Sequence, residues 1–215
     1  MRGRPERLLF LPGASGDTCF WRPLDQRLAC RAERLHLGWP GFGDTPPRPG
    51  VNGFDDLLAL VLEPLDRPCA LVAQSMGGVL ALRAALARPR WVTHLVLSAT
   101  SGGLPMAALG AADWRASFRT SLSHLPDWFA TATTDLSGRL PEIAAPTLLL
   151  WGDSDPFSPV TAGERLAMLL PDARLHVING GDHDLGRDHA GRLAPLVDAH
   201  LSSTARPTAA PITPP

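Results

Sequence analysis

Short, mostly apolar runs fall along the chain at 7–11, 34–37, 70–73, 94–97, 147–151 and 175–178, and each reads as a strand. The run at 70–73 is apolar without alternation, which predicts a central strand covered on both faces, as in a parallel sheet. Between them the period changes. Residues 18–30 are compatible with a helix, and Asn52 is placed to cap another that carries Phe54, Leu57, Leu58, Val61 and Leu62 on one face. Residues 79–87 form a third, closed by Pro89. Ser158 and Pro159 supply an N-cap and first-turn pair for a fourth, ending near Leu170. A last helix spans about 188–201. Strand and helix alternate throughout, which predicts an α/β fold: a doubly wound, mostly parallel sheet of about six strands.

Two stretches depart from this rhythm. At about 100–142, Trp114, Phe118, Leu122 and Leu125 share a helical face, and Pro126 can open a second helix bearing Trp128 and Phe129. The segment is long for a crossover and reads as a small helical lid inserted in the domain. Its aromatic residues Trp114, Phe118, Trp128 and Phe129 either line an apolar substrate pocket or anchor the lid to the core. Residues 202–215 are rich in proline, with little to pack, and read as a disordered tail after a single domain over 1–201.

Composition narrows the chemistry. The 215 residues are 45% hydrophobic with a formal net charge of −1, which gives no electrostatic footprint for nucleic acid or an anionic membrane. All 20 residues of the Lys+Arg count are arginine, so Schiff-base chemistry and a Walker A loop are excluded. The three cysteines are widely spaced and form neither a disulfide framework nor a cysteine-rich zinc site. With no long apolar span or signal-type leader, the reading is of a cytoplasmic protein that binds a small molecule.

The sharpest local signal is Ala73-Gln74-Ser75-Met76-Gly77-Gly78, a small-x-Ser-x-small sequence between an apolar strand and a helix. A serine in so tight a turn takes positive φ, and the residues two before and two after it must be small. The turn would lift the hydroxyl above the strand ends at a helix N-terminus, making Ser75 a candidate nucleophile rather than a simple helix cap.

Serine needs a histidine base held by a carboxylate. Of seven histidines, His183 follows the last strand on the flexible turn Asn179-Gly180-Gly181-Asp182. It is preferred to His189, six residues on. Asp153 and Asp155 both follow the strand at 147–151; Asp155 is further out, with Pro156 fixing the chain after it. It is the preferred partner, and Asp153 is suited to bonding backbone amides of its own turn.

The order Ser75, Asp155, His183 is that of the α/β-hydrolase arrangement. The chain resembles the α/β-hydrolase superfamily through Leu11-Pro12-Gly13-Ala14-Ser15-Gly16, Gly41-Phe42-Gly43-Asp44, Gln74-Ser75-Met76-Gly77-Gly78, Pro146-Thr147-Leu148-Leu149-Leu150-Trp151-Gly152-Asp153-Ser154-Asp155 and Gly181-Asp182-His183. The resemblance implies a Ser-His-Asp triad and an oxyanion hole made by the N–H groups of Ala14 and Met76, with no cofactor or metal. It departs from the usual pattern at Pro12-Gly13, where His-Gly is common. The leading expectation is a serine hydrolase acting on a small carboxylic ester or thioester. A C–C bond hydrolase or lyase of the meta-cleavage or menaquinone-synthase kind would use the same triad. A non-catalytic binding module, and a metal site built from Asp182, His183, Asp184, Asp188 and His189, are weaker alternatives.

Overall fold

A computed structural model describes residues 3–115, 126, 128–129 and 132–203. The strands are β1 (Arg7–Leu11), β2 (Glu33–His36), β3 (Cys69–Gln74), β4 (Val92–Ser98), β5 (Thr147–Gly152) and β6 (Ala173–Ile178). They lie in the order β2-β1-β3-β4-β5-β6, and every neighbouring pair is parallel. The helices are α1 (Arg22–Asp25), α2 (Phe54–Leu62), α3 (Met76–Ala87), α4 (Val160–Leu169), α5 (Leu185–Asp188) and α6 (Ala190–Ser202).

Successive strand residues point to opposite faces, so the sheet supplies two cores. Leu71, Ala73, Leu95, Leu97, Leu149 and Trp151 pack with Leu57 and Val61 of α2, Leu80 of α3 and Leu166 of α4. Ala70, Val72, Val96, Leu148 and Leu150 pack with Leu24 of α1, Leu185 of α5 and Leu193 of α6. The four inner strands are buried along their whole length, which is why they carry no alternation. The edge strands β2 and β6 are part-exposed and admit Arg34, Arg174 and His176.

The strand order reverses at β1, which lies between β2 and β3. Loops leaving the carboxyl ends of β1 and β3 therefore diverge and open a crevice, the usual ligand position in such sheets. Both carry candidate residues.

Several element boundaries differ from the periodicity. Only Arg22–Asp25 of the expected helix over 18–30 is helical, and at the far end of that span Asp198 of α6 takes the Ala29 N–H at 2.9 Å and the Cys30 N–H at 3.1 Å in place of helical carbonyls. Gly53, not Asn52, stands at the N-cap of α2, and the Asn52 backbone N–H donates to Asp56 Oδ2 at 2.8 Å. Pro159 takes the N-cap of α4; Ser158 is committed elsewhere, its N–H to Asp155 and its hydroxyl to the Thr100 carbonyl. The last expected helix divides at His189.

Of the insertion, a 3₁₀ turn at Met106–Leu109 and another at Leu140–Glu142 are described. Phe118, Leu122 and Leu125 lie outside the described residues. So does the tail from 204; before it, α6 runs to Ser202 and the Ser203 carbonyl lies 3.0 Å from His94 Nε2. Among the described residues no helix is long and apolar enough to cross a membrane.

Candidate active site

Between β3 and α3 the chain turns within one residue. Ser75 has φ 51° and ψ −119°, a region that a residue with a Cβ enters only under strain. The surroundings over-determine it. The Ser75 N–H donates to the Ser98 carbonyl at 3.0 Å, and the Ser75 carbonyl accepts the Thr100 hydroxyl at 2.6 Å and the Gly78 N–H at 3.0 Å. A Cβ on Gly77 would stand 2.5 Å from the Pro12 carbonyl oxygen and 2.7 Å from that of Leu11. Glycine at that position lets α3 approach the end of β1. Ser75 occupies the cap position of α3, yet its hydroxyl makes no capping bond. It is directed to histidine.

His183 Nε2 lies 3.1 Å from Ser75 Oγ, and His183 Nδ1 lies 2.7 Å from Asp155 Oδ2. A carboxylate only accepts, so Nδ1 carries the proton and Nε2 of the neutral ring is left to accept from the serine hydroxyl. The Asp155 side chain is fully buried, and its other oxygen accepts the N–H groups of Phe157 at 2.8 Å and Ser158 at 3.1 Å. His183 is carried over the sheet by a loop whose Gly181 backbone packs directly on Gly152, leaving no room there for a Cβ. The Gln74 side-chain amide donates to the His183 carbonyl at 3.2 Å, tying the histidine loop to the strand that bears the nucleophile.

Asp153 stands apart from the imidazole. It accepts the Gly180 N–H at 2.8 Å, Asn179 Nδ2 at 3.0 Å and the Ser154 hydroxyl at 3.1 Å. The Gly180 N–H leads in holding its carboxyl below the ordinary range. It links the loops after β5 and β6. His189 is at the N-cap of α6 and takes no part in the Ser75 chain.

On the other side of Ser75 lies the loop after β1. A Cβ on Gly13 would run into Gln74 Oε1 and stand 3.1 Å from Ser75 Cβ, so the loop backbone passes directly against the turn. The backbone N–H groups of Gly13, Ala14 and Met76 have no acceptor among the described residues. Unpaired donors on the two segments that meet at Ser75 are of the kind that can receive negative charge developing on a substrate oxygen.

A family model described as the alpha/beta hydrolase family matches residues 8–133, and a second, described as the alpha/beta hydrolase fold, matches residues 111–190. The chain belongs to the alpha/beta hydrolase family. This hydrolase is 30% identical to 2-hydroxy-6-oxononadienedioate/2-hydroxy-6-oxononatrienedioate hydrolase 2 of Pseudomonas putida, over 83% of its own length and 80% of that protein. It is 29% identical to polyketide synthase ThaQ of Burkholderia thailandensis over 95% of its own length, and spans only 12% of that much longer protein. Its fold is similar to a solved hydrolase from Pseudomonas aeruginosa PA01, with a TM-score of 0.76 and 24% identity over 93% of this chain and 91% of that one.

In this hydrolase the insertion meets the body through aromatic rings. Phe129 is buried, with its ring centroid 5.7 Å from Phe42 and 5.1 Å from Trp114; Trp128 lies 5.8 Å from Phe42 and 5.7 Å from Phe54. These contacts join the insertion to the core beneath it. Trp128 also lines an open groove of roughly 730 Å³ with Phe54, Arg83, Leu136 and Arg139, and none of Ser75, Asp155 or His183 borders it. Phe118 lies outside the described residues. Phe157, not singled out from the sequence, stands edge-on to the His183 ring at 5.8 Å. Its position two residues after Asp155 was the available signal. Among the described residues, no three His, Cys, Asp or Glu side chains converge as a metal ion requires.

Proposed function

We propose that this hydrolase uses Ser75 as nucleophile, His183 as base and then acid, and Asp155 to hold the imidazole, and that the bond it cleaves is a C–C bond beside a ketone. The unbroken chain from Ser75 Oγ through His183 to the buried Asp155 carries the reading. The kind of bond rests on the relatives. A 6-oxo dienedioate of the sort named for the Pseudomonas putida protein contains no ester, so its hydrolysis must break carbon from carbon at the oxo group.

Ser75 Oγ adds to the oxo carbon as its proton passes to His183 Nε2. The oxygen, now negative, takes the N–H groups of Met76 and Ala14. Cleavage proceeds from the keto tautomer of the dienol, in which the enol proton has moved to the carbon beside the oxo group: as the carbonyl re-forms, the bond to that saturated carbon breaks, its electron pair passes through the remaining C=C bond onto the 2-oxo group, and the His183 imidazolium gives its proton to the dienolate oxygen. Water, deprotonated in turn by His183, releases the acid from Ser75. Asp155 keeps Nδ1 protonated and stabilises the imidazolium at both stages.

A second reading keeps the residues and changes the leaving group to the alkoxide of an ester or the thiolate of a thioester. The match of nearly the whole chain to a segment of a polyketide synthase favours it, since polyketide chains are carried as thioesters. One panel separates the two: a 2-hydroxy-6-oxo dienedioate followed by loss of its dienol absorbance, p-nitrophenyl esters of increasing length, and N-acetylcysteamine thioesters. Turnover of the ketone, lost in Ser75→Ala, is the expected result. Turnover confined to esters or thioesters would transfer the assignment to the second reading, and failure of Ser75 to take a fluorophosphonate label would overturn both.

A further inference from the structure

Trp39 is fully buried, and its indole N–H lies 3.0 Å from the Pro12 carbonyl oxygen and 3.2 Å from that of Gly13. The Gly16 N–H also donates to the Gly13 carbonyl, at 3.1 Å. The chain has no cis peptide bond among its described residues. In a planar trans peptide the carbonyl and the N–H point in opposite directions. Whatever holds the Gly13 carbonyl therefore sets the direction of the Ala14 N–H, and whatever holds the Pro12 carbonyl sets that of Gly13. Left to itself, a loop built on Gly13 and Gly16 has the backbone freedom to turn these peptides over.

We propose that Trp39 is a positioning residue: its indole N–H, through the Pro12 and Gly13 carbonyls, aims the Gly13–Ala14 backbone donors at the oxygen of a substrate attacked by Ser75. The proposal rests on the functional reading of Ser75 given above. Trp21 supplies an internal comparison. It is equally buried, and its indole N–H donates to the Leu11 carbonyl at 3.0 Å. The peptide it holds, Leu11–Pro12, carries no N–H. Both tryptophans secure the same loop, and only Trp39 orients a donor.

The test is the rate at which Ser75 takes an alkyl fluorophosphonate, whose phosphoryl oxygen occupies the place of the substrate oxygen, in the full chain. Trp39→Phe should label roughly 10- to 100-fold more slowly than wild type, below the 10²–10³ seen on deleting a donor outright. Trp21→Phe should label at close to the wild-type rate. With p-nitrophenyl acetate as a probe substrate, Trp39→Phe should lower kcat by a similar factor with KM nearly unchanged. Benzothienylalanine at position 39 keeps the ring and removes the N–H alone, so it should reproduce the slow labelling while remaining folded at the assay temperature, with only the modest drop in Tm expected from an unpaired Pro12 carbonyl. Wild-type rates in both position-39 variants, or equal losses in the Trp21 and Trp39 variants, would overturn the proposal alone. Absence of label from wild-type Ser75 would instead overturn the functional reading beneath it.

Discussion

Asp155 is buried beneath a part-exposed His183, with Oδ2 2.7 Å from Nδ1, whereas Asp153, two residues earlier on the same loop, faces solvent. The two carboxylates differ in what they can do for the imidazole. Asp155→Asn presents an amide that can reverse the tautomer, and is expected to lower kcat by about 10⁴ while leaving the fold intact. Asp153→Asn should leave kcat essentially unchanged. Steady-state kinetics on whichever substrate the panel identifies will check this, and the opposite ranking would remove Asp155 from the scheme.

Strain at the nucleophile predicts opposite effects on activity and stability. Ser75→Ala and Ser75→Gly should both lose about 10⁵–10⁶ in kcat. Glycine tolerates φ 51° and ψ −119° without the cost to a residue bearing a Cβ. Ser75→Gly should therefore be more stable than Ser75→Ala by about 1–2 kcal/mol, a rise in Tm of several degrees. Thermal unfolding followed by circular dichroism measures it. Equal melting temperatures would show that the turn is not strained.

The contact of Gly77 with the end of β1 predicts a fold-level effect. A Cβ there meets two backbone carbonyls at 2.5 and 2.7 Å, and neither can move without disturbing the sheet. Gly77→Val should cost at least about 3 kcal/mol and yield little soluble protein. Gly138, where a Cβ would meet nothing within 4 Å, is the control, and Gly138→Ala should express normally.

Stability should fall on mild acidification through His200. Burial first, then the neighbouring His94, with Arg174 also opposing the charge, pushes its imidazole down from 6.5 to about 4. The ring is thus neutral in the fold across the range in which the unfolded chain takes up a proton. Its contribution is fully present above pH 6.5 and is lost as pH falls toward 4, by up to about 3 kcal/mol. Urea unfolding at pH 7.5 and pH 5 should show the loss, with His200→Gln reducing it. An unchanged pH slope in the variant would assign the sensitivity to other groups.

Much of this molecule can be read along the chain, and the parts that cannot share a cause. The central strands announce themselves because both faces are buried, so 70–73 and 148–151 are apolar throughout. Helix α3 begins at Met76, three residues before its composition suggests, because Gly77 and Gly78 are there for close approach to Pro12 and Thr100 and not for helix propensity. The helix expected over 18–30 does not reach its far end, where a carboxylate 168 residues away captures the Cys30 amide. Periodicity registers which face a residue presents. It carries no record of a distant group competing for a backbone hydrogen bond.

The same division holds at the site. Sequence alone determined the α/β order of elements, the strained serine turn, and a short set of candidates for base and acid, because those follow from local composition and from the strand ends they must occupy. Only the tertiary structure decided that Asp155 rather than Asp153 meets His183, that Gln74 grips the His183 loop, and that Trp39 holds the carbonyls beside Ser75. Each of these is an encounter between loops leaving different strands. Their separation along the chain is large, and their proximity exists only once the parallel sheet has brought the carboxyl ends of β1, β2, β3, β5 and β6 to one rim.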